Sequence, residues 1–267
     1  MAADTHRVAL VTGGMGGLGE AICVKLAALG YTVVTTHSPG NAKAQEWLDA
    51  MKQQGYTFHA YPCDVADFDS CAACVAKVGK DIGPVDVLVN NAGTESAGHL
   101  TDLTADDLEN LVALNLLAPV ELCRQVLPGM TARGRGHLVN ISSLAGVATF
   151  PGLATYGATK AGLTHFTSGL RADLRGGPIG TLAVEIGPVS SQMMSRIASH
   201  PPTAAAFDRV LGLRALTMLD PDAVARAVVA AVEDDQATLR MPRRAAPLAT
   251  LAHAPRSVVR LALTGIR

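Results

Sequence analysis

The sequence predicts a doubly wound α/β fold, a parallel sheet between two layers of helices, and three observations carry that expectation. Short apolar runs recur at residues 8–11, 31–35, 58–61, 85–89, 137–141 and 182–186. The runs rich in Val, Leu and Ile hardly alternate with polar residues, as expected of strands buried on both faces. The segments between them carry helical periodicity with polar faces, the βαβ repetition that a parallel sheet requires.

The elements follow in order. A glycine-rich stretch leads from the first strand into a helical run over 20–29. Asp67 opens the helix that carries Cys71, Thr104 with Asp107 three residues on forms a capping box, and Asp220-Pro221 starts a run to Asp235. Residues 190–219 lose the strand rhythm and are rich in Ser, Met, Pro and Ala, which suggests a mobile helical lid. Residues 237–241 are a candidate last strand, closing a single domain over 1–241. Residues 242–267 form an extension mixing Arg243, Arg244, Arg256 and Arg260 with Leu and Val. Within it, Leu251, Val258, Val259 and Leu261 make a stripe that either docks on an anionic membrane surface or packs over the lid or a partner subunit; the second is preferred, because apolar side chains usually find protein.

The 267 residues, 49% hydrophobic with a formal net charge of −1, suffice for one sizeable core and supply no field for nucleic acid. The odd set Cys23, Cys63, Cys71, Cys74 and Cys123 argues against a disulfide framework and for a reducing cytoplasm. The polar start runs into an apolar segment of only four residues, 8–11, too short for a signal core or an integral membrane span.

Directly after the first strand stands Thr12-Gly13-Gly14-Met15-Gly16-Gly17-Leu18-Gly19. Glycines there let the backbone turn and approach a pyrophosphate, whose charge is met by free N–H groups at a helix N-terminus. Gly14, Gly16 and Gly19 fit one glycine phase and Gly13, Gly17 and Gly19 another; Thr12 favours the second. At the end of the second strand an NAD-selective site would place an acid. His37 and Ser38 stand there, no acid comes before Glu46, and Lys43 is near enough to meet a 2′-phosphate. NADP(H) is therefore favoured, NAD(H) remaining possible, and the alternative for Lys43 is a solvated lysine at a helix start. Asp64-Val65 and Asn90-Asn91-Ala92-Gly93 end the third and fourth strands, where open α/β sheets bind ligands. Asp64 either accepts from an adenine amino group or caps the next helix.

Tyr156 and Lys160 lie at i and i+4, on one face of a helix running to Leu174. A fixed cation there is expected to lower the tyrosine pKa, making Tyr156 the general acid of a carbonyl reduction and the base of the reverse reaction. Ser143, thirteen residues upstream at a strand end, can donate to the substrate oxygen. Asn115 supplies an amide that could hold a water against Lys160 and complete a proton relay.

Thr12 to Gly19, Asn90 to Gly93, Asn115, Ser143, Tyr156 and Lys160 together resemble the short-chain dehydrogenase/reductase family, over roughly residues 7–191. The resemblance implies a Rossmann fold and a cofactor site including Gly13, Met15, Gly17, Leu18, Gly19, Asn91, Ala92 and Gly93. It also implies a loop in which Gly187, the Val189 backbone and the Ser191 hydroxyl meet the nicotinamide carboxamide; Ile186-Gly187 stands where the family usually has Pro-Gly. Residues 8–93 are similar to NADPH-dependent acetoacetyl-CoA reductases, whereas the chain from Thr94 on looks like another short-chain branch, typical of actinobacterial enzymes. The family's usual pairing implies a homodimer or homotetramer.

The expected substrate is a small carbonyl or alcohol compound, in a pocket built from residues 94–99, 144–153 and 189–213. Phe150, Leu153, Met193 and Met194 line it or else pack the lid onto the core. Three activities remain in view: reduction of a ketone or β-ketoacyl group with NADPH, oxidation by an NAD+-dependent alcohol or hydroxysteroid-type dehydrogenase, and dinucleotide binding without chemistry. Cys71 and Cys74 are expected on a half-buried helical face, and the eight histidines form no ligand set, so no metal is implied.

Overall fold

The structure, a computed structural model, describes residues 7–245 except 198, 213 and 215; the 251–267 stripe lies outside the described residues. Seven parallel strands form one sheet: β1 (Val8–Thr12), β2 (Thr32–His37), β3 (His59–Pro62), β4 (Val85–Asn90), β5 (Gly136–Ser143), β6 (Ile179–Ile186) and β7 (Thr238–Met241). Their order is β3-β2-β1-β4-β5-β6-β7, so the winding reverses between β1 and β4. The C-terminal ends of that pair open the crevice in which such sheets bind ligands.

The helices are α1 (Gly17–Ala28), α2 (Ala44–Gln53), α3 (Phe68–Asp81), α4 (Ala105–Val112), α5 (Ala118–Arg133), α6 (Ala154–Asp173), α7 (Gln192–Ile197), α8 (Pro201–Gly212) and α9 (Pro221–Glu233). Two cores flank the sheet. Ala9 and Val11 of β1 meet Ile22 and Leu26 of α1 and Val228 of α9, while Val8 and Leu10 meet Val78 of α3 and Leu122 and Met130 of α5. Successive residues of one strand thus enter opposite cores, the reason the strands show no alternation.

The three helix starts hold. Asp67 accepts from the Asp69 N–H, Thr104 and Asp107 cap each other reciprocally, and Asp220 accepts from the Ala223 N–H. The two largest departures from the expected boundaries are at β6 and α1. β6 begins at Ile179 because residues 179–181 pair with 136–138 of β5, a partnership that hydrophobicity alone does not reveal. α1 begins at Gly17, inside the glycine-rich stretch. A π-helical turn, Ala113–Leu117, joins α4 to α5. The joined run Ala105–Arg133 is long and apolar enough to cross a membrane by length and composition. Its Leu122, Val126 and Met130 are nevertheless in the core against β4 and β5.

Cys71 and Cys74 are both buried, on the side of α3 that faces the sheet. With Val78 they form the inward face of α3, as expected of a helix with one side in the core, and the Cys71 thiol donates to the Val65 carbonyl at 3.4 Å. Among the described residues no group is placed to hold a metal ion.

Candidate active site

The glycine-rich loop turns where the second glycine phase requires it. Gly13 and Gly17 have φ of 63° and 53°, the left-handed region that glycine enters without strain. A Cβ on Gly19 would lie 2.6 Å from the Asn91 amide nitrogen and closer still to the Gly13 carbonyl, so the first turn of α1 presses directly on the loop. Gly14 is tight for another reason: its N–H donates to Thr35 Oγ1 at 2.8 Å, with the Cys23 thiol beside it. Open space lies over Gly16 and Gly17, the cradle that a pyrophosphate at a helix N-terminus needs.

Thr12 and Asn91 hold this loop to β4. The Thr12 hydroxyl accepts from the Asn91 and Ala92 N–H groups at 3.0 and 2.9 Å, and the Asn91 amide donates to the Thr12 and Gly13 carbonyls at 3.0 and 3.1 Å. Gly93 lies beneath Asn115, whose Oδ1 would be 2.8 Å from a Cβ there. The motif at the end of β4 therefore clamps the cradle and leaves room for Asn115.

Tyr156 and Lys160 are both buried on one side of α6, with the Lys160 ammonium 5.8 Å from the phenol ring centre. The Ser143 hydroxyl is near enough to the phenol to favour its ionised form, and it accepts from the Ala145 N–H at 3.1 Å, starting a short 3-10 turn. Its neighbour Ser142 faces the other way, bonding the Lys160 carbonyl and Thr164, and so locks α6 to β5. Lys160 donates to the Ile141 carbonyl at 3.0 Å.

Two expectations need correction here. The tyrosine pKa is not lowered: burial pushes it up to about 12, against the opposing effect of the Ser143 hydroxyl, and the Glu95 carboxylate adds to the rise. Burial likewise pulls Lys160 down to about 8, so desolvation outweighs mutual assistance. The Asn115 amide does not face Lys160 with free donors. It donates to the Thr94 carbonyl and to Thr159 Oγ1 at 2.8 and 3.3 Å, and accepts from the Thr94 N–H at 2.9 Å. Those bonds tie the π-helical turn to the loop after β4 and consume the amide.

A cavity of about 720 Å³ runs from the glycine cradle past Tyr156 to the helices after β6. Gly13, Met15, Gly17, Leu18, Gly19, Asn91, Ala92, Gly93, Ser143, Tyr156, Lys160, Gly187, Val189 and Ser191 line it. Asn115 stands behind that surface. His37, Ser38, Lys43, Asp64 and Val65 lie outside the cavity, at the ends of β2 and β3. Lys43 is exposed at the start of α2, where its N–H meets Asn41, and Asn41 in turn donates to Met15 Sδ at 3.6 Å. Asp64 accepts from the Ala66 N–H, making a turn, and the helix cap itself is Asp67. The Ser191 hydroxyl donates to the Val189 carbonyl and accepts from the Met194 N–H, so it starts α7 as well as facing the cavity.

Phe150, Leu153, Met193 and Met194 do both things considered for them: they line the cavity and they cluster with Ile197 and Phe207 of α7 and α8. Phe150 and Phe207 stack at 5.1 Å. Sequence reasoning missed Arg196 of α7, a further cavity residue, and Glu95, which it pairs with across 101 residues; no local signal connects the two.

Fold and crevice together define an α/β protein that binds a nicotinamide dinucleotide. The chain belongs to the short chain dehydrogenase family, whose model matches residues 7–202, and is an oxidoreductase acting on small molecules. An acetoacetyl-CoA reductase of Cupriavidus necator is 37% identical over 193 residues, 72% of this chain and 78% of that protein. A short-chain dehydrogenase structure from Streptomyces avermitilis superposes with a TM-score of 0.79 at 31% identity, covering 98% of this chain and 96% of the other. A variant of actinorhodin polyketide ketoreductase with NADPH superposes with a TM-score of 0.81 at 31% identity, covering 90% and 97%.

Proposed function

We propose that the chain is an NADPH-dependent reductase that converts a ketone or β-ketoacyl group into a secondary alcohol. One observation carries the reading: the Ser143 hydroxyl and the Tyr156 phenol both line a cavity that is continuous from the glycine cradle to an apolar chamber. The cradle over Gly16 and Gly17 fits a dinucleotide, which Gly13, Met15, Leu18, Gly19, Ala92, Gly187 and Val189 would hold and which, when bound, supplies the hydride. Ser143 orients the carbonyl oxygen, and Tyr156 gives it the proton. With burial pushing its pKa up to about 12, the phenol carries that proton throughout the neutral range, the state an acid catalyst needs. Lys160 borders the phenol from the same helix face, and Asn115 positions the loop after β4.

The cofactor preference rests on the end of β2, where His37 and Ser38 occupy the place of an acid and exposed Lys43 is available to a 2′-phosphate. That neighbouring ketoreductase with NADPH supports the same choice. Exposed Val112 and Leu117, on the helical run carrying Asn115, suit a homodimer or homotetramer face. Five buried cysteines without a disulfide accord with a cytoplasmic setting.

The test is turnover of a carbonyl panel, from acetoacetyl-CoA to longer β-ketoacyl thioesters and hydrophobic ketones, with NADPH and NADH measured separately. Turnover with NADPH is expected, and Tyr156→Phe should lower it by about a thousandfold with NADPH affinity kept. Preference for NADH would remove the role given to Lys43. Near-normal turnover by Tyr156→Phe would remove the reading itself.

A further inference from the structure

The apolar chamber carries one polar device that the proposed reaction does not use. Among the described residues lining the cavity, only Lys160 and Arg196 carry a formal charge. Lys160 belongs to the reacting corner, whereas Arg196 sits on α7 at the rim, with 59% of its side chain exposed. Its Nε and Nη2 both donate to the Glu95 carboxylate, the second bond at 3.0 Å. Glu95 comes from the loop after β4, and only 6% of its side chain is exposed. The guanidinium is thus neutralised by a two-pronged partner from the loop after β4.

Resting on the reductase reading, we infer that Glu95 is a specificity-determining residue: by occupying Arg196 it fits the chamber to uncharged, apolar carbonyl compounds and rejects oxo acids. Glu95 uses Nε and one Nη2 hydrogen, so a substrate carboxylate at the outer edge of the guanidinium meets an already neutral pair, and it gains a full counter-charge only by displacing Glu95. That would strand a buried carboxylate without its cation, the kind of unpaired charge a protein interior strongly disfavours. Rejection is built from that penalty, not from a lack of positive charge. The rest of the chamber agrees, since Phe150, Leu153, Met193, Ile197, Phe207 and Leu216 offer no other ionic partner to a substrate. The Glu95 charge also adds to the rise of the Tyr156 pKa, so a change at Glu95 alters proton transfer as well as selectivity.

The experiment separates these effects by using a medium-chain oxo fatty acid and its methyl ester, identical at the ketone. Proton transfer acts equally on both, so the ratio of kcat/KM for acid over ester reports the chamber alone. The wild type should favour the ester. Glu95→Gln, which keeps the shape and frees the cation, should raise the acid-to-ester ratio at least about tenfold. Glu95→Gln with Arg196→Met should bring the ratio back to the wild-type value, which also shows that the effect is not a folding defect. An unchanged ratio in Glu95→Gln, or a wild type that prefers the acid, overturns the inference. Calorimetric binding of the same two compounds reads the same ratio without turnover. If neither compound is reduced, the reductase reading falls, and the binding ratio still upholds or overturns the role of Glu95.

Discussion

The two walls of the cavity are made differently. The dinucleotide wall is backbone: glycines at 13, 17 and 19, fixed by the Thr12 hydroxyl and the Asn91 amide through four hydrogen bonds of about 3 Å. The substrate wall is side chain, with Phe150 stacked on Phe207 and Met193 and Met194 drawn from short helices. Backbone walls tolerate almost no added atom, while walls of Met and Phe can repack around a lost one. The contrast shows how one fold can keep its cofactor and exchange its substrate.

The sharpest way to break the contrast is one methyl group. Gly19→Ala places a Cβ against the Gly13 carbonyl and the Asn91 amide, and should weaken NADPH binding by about ten- to a hundredfold in a titration, with the circular dichroism spectrum kept. Unchanged affinity would mean the loop is not the cradle described.

Lys160 belongs to neither wall and tests the corner between them. Its folded pKa, about 8, lies below the 10.5 of an exposed lysine. Between those values the unfolded chain holds the proton and the folded chain does not, so folding stability should rise with pH across that window, by about 3 kcal/mol in total. Denaturation of the wild type and of Lys160→Met at several pH values checks this, because the rise should be absent in the variant.

Thr12→Val removes the acceptor of two backbone N–H groups near the crevice and should cost about 1–3 kcal/mol of stability in denaturant titration. Phe150→Ala, a far larger truncation, should raise KM for hydrophobic ketones less than about tenfold and leave NADPH affinity unchanged, as the chamber closes on the space. If Phe150→Ala matched Gly19→Ala in its effect on cofactor binding, the distinction between the walls would fail.

The same difference explains what was legible in the sequence. Gly13, Gly17 and Gly19 could be assigned because a turn against a strand needs glycine wherever it occurs, and Thr12 indicated the phase. Tyr156 and Lys160 could be paired because a helix fixes the spacing of i and i+4. The sign of the tyrosine shift could not be read, since it depends on how far α6 is buried and not on the separation of the two residues. Nor could the use of the Asn115 amide, which depends on where the Thr94 backbone runs. Glu95 and Arg196 show the limit most plainly: a loop acid and a helix cation are each unremarkable in sequence, and only the folded chain brings them together.

In the proposed reductase a dinucleotide lies along the glycine cradle with its reactive ring beside Tyr156 and Ser143. A crystal structure of the chain with NADPH bound tests it most directly. The pyrophosphate should lie over Gly16 and Gly17 and the nicotinamide between Tyr156 and Val189, facing the apolar chamber. A nicotinamide lying away from Tyr156, or NADPH bound anywhere other than the crevice between β1 and β4, would contradict it.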